Sequence, residues 1–106
     1  MAWLILFAAG LLEIVWAYFM KQSDGFTRLV PTTITIVTSL ASFGLLAISM
    51  KSLPLGTAYT VWTGIGAVGA FVVGIVMLGE QITVVRILAA GLIVSGLLLM
   101  KLSSPS

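Results

Sequence analysis

Four long apolar stretches separated by short polar breaks make up almost the whole chain. They run over about 2–20, 30–50, 55–78 and 83–100. A helix of roughly 20 apolar residues, rising 1.5 Å per residue, is long enough to cross the hydrocarbon of a bilayer. The breaks are built as helix ends. Lys21, Lys51 and Lys101 close the first, second and fourth stretches, and Gly79-Glu80 closes the third. Pro31 and Pro54 stand where a helix begins, a position at which a missing N–H costs nothing. The longest connection, Lys21 to Arg28, has Asp24-Gly25 as its turn. The 51–55 and 79–83 connections are tight, and Ser103–Ser106 is a brief polar tail. The pattern predicts an all-α integral membrane protein, a single transmembrane domain of four helices over residues 1–106, without an internal sequence repeat. The first stretch reads as a retained helix rather than a cleaved leader. It lacks a basic start and continues past Ala8-Ala9-Gly10 into Glu13.

Composition narrows the function classes. The chain is 60% hydrophobic and 8% charged, where a water-soluble domain carries about 25% charge. Five Lys and Arg against three Asp and Glu give +2, too small and too scattered for a nucleic-acid footprint. The sequence has neither Cys nor His, which removes disulfide and thiol chemistry and the usual transition-metal ligands. It has no phosphate-binding glycine loop, which argues against transport driven by ATP within this chain. No metal, cofactor or enzymatic activity is expected.

The placement of charge bears on topology. With four spans, Lys51 and Lys101 share one membrane face with the N-terminal amine, and Lys21, Arg28 and Arg86 share the other. Cytoplasmic loops are normally much richer in Lys and Arg. Two against three is nearly unbiased, so either other factors orient the chain or copies insert both ways. Four helices are also few for a transport path, which many transporters build from two inverted repeats. An antiparallel, dual-topology homodimer would supply the second repeat.

One carboxylate stands out against this background. Glu13 lies within Gly10-Leu-Leu-Glu-Ile-Val-Trp16, about 18 Å along the first helix and near the bilayer midplane. An ionisable group at that depth marks a functional site by default. No Lys, Arg or His lies at comparable depth in the other spans, so a permanent ion pair within the chain is not expected. The group can hold a proton or, when ionised, an organic cation; the plainer use is a protonated hydrogen-bond link between helices. Trp16 sits one turn away on the same face. On the third helix Tyr59 and Trp62 repeat the one-turn spacing, with a hydroxyl donor and a ring able to face a cation. Gly64 and Gly66 invite a bend or a close helix approach, and Gly66, Ala70 and Gly74 form a small-residue face. Ser42 lies mid-way along the second helix, where a hydroxyl often bonds only to its own backbone. Ala89 and Gly96 read as a packing seam on the fourth. One carboxylate ringed by aromatics and hydroxyls suits cations, and competition between proton and cation for it is enough for antiport.

These residues together resemble the small multidrug resistance family. The likeness covers the whole chain: four spans in about a hundred residues, Glu13 in the first, Lys21, Ser23, Gly25 and Phe26 in the first connection, and Pro54…Gly56…Ala58-Tyr59…Trp62…Gly64…Gly66 in the third helix. Within the family, Gly10…Glu13…Trp16-Ala17, Lys51-Ser-Leu-Pro54 and Trp62-Thr63-Gly64-Ile65-Gly66 resemble the guanidinium-exporter subtype. The drug-exporting subtype typically lacks a Trp at the place of Trp16. The resemblance implies an antiparallel homodimer in the bacterial inner membrane. It implies proton-coupled export of guanidinium and small substituted guanidines, with both Glu13 side chains binding and with Gly10, Trp16, Ser42, Tyr59 and Trp62 in support. Ala89 stands where drug exporters commonly carry a dimer-seam glycine, and Tyr18-Phe19-Met20 is bulkier than many relatives. The alternative within the family is a broad exporter of quaternary ammonium cations. Outside it stand a non-transporting membrane subunit and a passive cation channel.

Overall fold

The computed structural model describes residues 1–103; the end of the polar tail, 104–106, lies outside the described residues. Four helices follow one another: α1 (Ala2–Gln22), α2 (Leu29–Ser49), α3 (Leu55–Leu78) and α4 (Val84–Leu102). Each is long and apolar enough to cross a membrane. Large apolar side chains such as Leu29, Val76, Val84, Val85 and Leu92 stand exposed on the outer surface. That surface suits hydrocarbon, in which every backbone polar group has to be satisfied within its own helix.

The ends of the helices follow from local chemistry. Ser23 closes α1: its N–H donates to the Phe19 and Met20 carbonyls, and its hydroxyl donates to Met20 O at 2.6 Å. The same oxygen accepts from Phe26 N at 3.1 Å. Asp24, Gly25 and Phe26 then take left-handed backbone angles in succession. The reversal is therefore wider than the Asp24-Gly25 turn that the sequence suggests. Gly79 ends α3 at φ 68°, and Glu80 N donates back to Gly74 O at 3.0 Å. The Thr83 hydroxyl caps α4 by accepting from Arg86 N at 3.1 Å.

The bundle is lopsided. α1 packs along both α2 and α3, whereas the backbone of α4 lies against α3 alone. The buried apolar side chains are Leu6, Ala9, Leu46, Leu53, Ala58, Val61 and Trp62. They gather at the end that carries the N-terminus and the 50–54 connection. None of the residues of α4 is buried. The molecule is a slab, with principal extents of 43 × 34 × 17 Å.

Candidate functional site

The crossing of α1 and α3 is where the site is built. The two helices run in the same direction, and at three successive levels a side chain of one rests on a glycine of the other. Ile65 covers Gly10, Glu13 covers Gly66, and Ile14 covers Gly69. A Cβ on Gly10 would come within 2.6 Å of the Ile65 side chain. A Cβ on Gly66 would overlap the Glu13 carboxyl group itself. The carboxyl therefore occupies the space that the missing side chain of Gly66 leaves. The sequence points to Gly66 as a backbone feature; in the fold it is also the floor under Glu13.

Glu13 is half-buried, and its Oε1 is fully buried without a hydrogen-bond partner among the described residues. The indole Nε1 of Trp16, one turn away, is in the same condition. A buried polar atom without a partner is costly and calls for an explanation. The acceptor rests against α3 and the donor's ring against α2, and no charged partner for the carboxylate occurs among the described residues.

Trp62 and Ser42 form a second, satisfied arrangement beside it. Trp62 Nε1 donates to Ser42 Oγ at 2.9 Å, and that hydroxyl donates to Ala9 O at 2.7 Å. The other bonded hydroxyls of α2 turn back to their own helix: Thr32, Thr33, Thr35, Thr38, Ser39 and Ser49. Ser42 alone among them ties three helices together. Its one proton goes to Ala9 O, so within the chain it fixes Trp62 and the turn of α1 that precedes Glu13.

The aromatics form a row rather than a ring. Trp16 meets Phe43 edge-on with centroids 6.2 Å apart, Phe43 lies 5.6 Å from Trp62, and Tyr59 lies 5.6 Å from Trp62. Phe43 is the link that the sequence does not signal, because a Phe in an apolar run carries no distinguishing mark. Tyr59 is exposed and lines a groove of about 530 Å³ between α3 and α4 with Thr63, Gly64, Leu92 and Gly96. Glu13 is not part of the lining of that groove.

The remaining candidates lie away from Glu13. Gly64 is buried under Leu97 of α4. Gly96 is open, with nothing near where its Cβ would be. Ala89 is exposed and faces a cavity of about 260 Å³ with Phe71, Glu80 and Arg86. Among the described residues, Ala89 and Gly96 are both left exposed. No cluster of potential metal ligands occurs among the described residues.

Comparison with known proteins adds to this geometry. The family model described as Small Multidrug Resistance protein matches residues 1–93. A protein of Yersinia pseudotuberculosis named guanidinium exporter is 59% identical over 104 residues, covering 98% of this chain and all of the relative. Proteins of the same name from Citrobacter freundii and Salmonella typhimurium are 53% identical over 104 residues, covering 98% of this chain and 99% of each relative.

Proposed function

Since the chain belongs to the small multidrug resistance family, we propose that it is a proton-coupled antiporter, not an enzyme, exporting guanidinium and small substituted guanidinium cations. The observation that carries this reading is the buried Oε1 of Glu13, which has no hydrogen-bond partner among the described residues, with the equally unpartnered Nε1 of Trp16 one turn along the same helix. The names of the relatives support the choice of cargo.

The chemistry of the cargo fits. Guanidinium is planar and only donates, and its paired N–H groups match the edge of a carboxylate. A carboxylate that gives up its proton to receive guanidinium exchanges one cation for another. Proton and cargo thus compete for Glu13, and entry of protons drives the cation outward. The Gly66 floor keeps the carboxyl at one depth, and the Ser42–Trp62 bond keeps the neighbouring ring in place. Trp16, one turn from Glu13 along α1, is the side chain we assign to favouring a small flat cation over a bulky quaternary ammonium.

A second copy in the opposite orientation completes the device. It would bring two Glu13 carboxylates to one cavity, place Tyr59 within reach of its partner's carboxylate, and cover the Ala89–Gly96 seam of α4. The setting in this reading is the inner membrane of a bacterium, the relatives themselves being bacterial proteins.

The test is guanidinium flux in proteoliposomes with and without a pH gradient. The native chain should drive guanidinium uphill against the proton flow, and lowering the pH on the binding side should weaken guanidinium binding because protonated Glu13 cannot pair with it. Glu13→Gln should abolish coupled flux, a loss of at least about 100-fold if one charged hydrogen-bonded contact of about 3 kcal/mol is removed. Retained pH-driven flux in that variant would overturn the mechanism.

A further inference from the structure

Because the backbone of α4 lies against α3 alone, a wedge opens between α1, α3 and α4. It encloses about 300 Å³, and its lining includes Trp3, Phe7, Val61, Ile65, Leu98 and Lys101. The Lys101 ammonium is the one charged group in this lining, and Nζ stands 4.6 Å above the Trp3 ring. Contact with the ring face holds the cation in position and leaves N–H donors pointing away from the ring.

The wedge is graded with depth. Trp3 lies in the first turn of α1 and Lys101 in the last turn of α4, so both sit at the level of the headgroups. Ile65 rests on Gly10, about 10 Å deeper than Trp3 and well inside the hydrocarbon. A cation at the rim above an apolar slot is the shape of an anionic amphiphile. Charge favours the same occupant. The acidic side chains of the connections, Asp24 and Glu80, both lie at the opposite end of the bundle. The wedge's end carries the Lys51 and Lys101 side chains with no carboxylate side chain among the described residues. A zwitterionic headgroup would bring its own ammonium to this cationic end.

We propose that the wedge binds one anionic phospholipid, with an acyl chain along Phe7, Val61, Ile65 and Leu98 and the phosphate on Lys101. The site is separate from Glu13 and does not depend on the identity of the exported cation.

Native mass spectrometry of the full chain, extracted from bilayers of phosphatidylglycerol and phosphatidylethanolamine, tests it. The native chain should retain phosphatidylglycerol in preference. Lys101→Gln should cut that retention about fivefold, the worth of one Lys beside an anionic headgroup, while Lys101→Arg should keep it. Leu98→Trp, a filled slot at a position already exposed, should also cut it although Lys101 is intact. Lys51→Gln, at the same end but outside the wedge, should leave it unchanged. Equal losses in Lys51→Gln and Lys101→Gln would reveal diffuse attraction and overturn the site. Full retention by Leu98→Trp, or retention indifferent to headgroup, would overturn it as well.

Discussion

At the scale of single residues, the space beneath a side chain matters as much as the side chain. Glu13 is conspicuous in the sequence because it is the lone charge deep in an apolar run. What it rests on is not conspicuous, since Gly64, Gly66 and Gly69 look alike in a helix rich in glycine. Only the crossing with α1 assigns Gly66 to the carboxyl and Gly69 to Ile14. Gly66→Ala should therefore push the Glu13 carboxyl out of its seat. A misplacement of about 1 Å can cost about 100-fold where geometry decides function. We expect guanidinium flux to fall by that order in proteoliposomes while the protein still inserts; unchanged flux would show that the floor is irrelevant. Ser42 gives the complementary lesson. Seven hydroxyls of α2 make hydrogen bonds, six of them to their own helix. Sequence cannot separate the one that crosses, because a backbone carbonyl within the helix and one on a neighbour are chemically identical acceptors.

At the scale of elements, the lengths of the apolar runs and the residues that interrupt them carry the helices. Gly79 at the end of α3 does what a glycine after a helix is suited to do: its positive φ lets Glu80 N return to Gly74 O. Gly79→Ala forces a Cβ into that conformation and should cost about 1 kcal/mol. Thermal unfolding in detergent should show a drop of a few degrees, and a rise would contradict this account of the cap. The first connection was less legible. Phe26 adopts a left-handed angle of 66° that its side chain disfavours, stabilised by the bond from its N–H to Ser23 Oγ. A bond from a residue three positions earlier leaves no mark in a hydrophobicity pattern.

At the scale of the whole molecule, the four runs are all nearly uniformly apolar, so the sequence does not say which helix sits at the centre. The fold places α1 between α2 and α3 and leaves α4 at the flank. The near-equal charges on the two faces are the trace of topology that a sequence does carry. If copies insert both ways, single cysteines placed in the 51–55 and 79–83 connections should each be labelled from both sides of the membrane. Labelling of each from one side only would exclude opposite insertion. The lopsided core also has a consequence for biosynthesis. The buried apolar side chains run from Leu6 to Trp62, so the ribosome has delivered all of them before it starts on α4. The first three helices can settle while the fourth is still being translated, leaving α4 to find its neighbour late. An arrest-peptide force profile along the nascent chain should show a packing event as α3 emerges and plain membrane insertion as α4 follows; a second packing event at α4 would contradict this order of assembly.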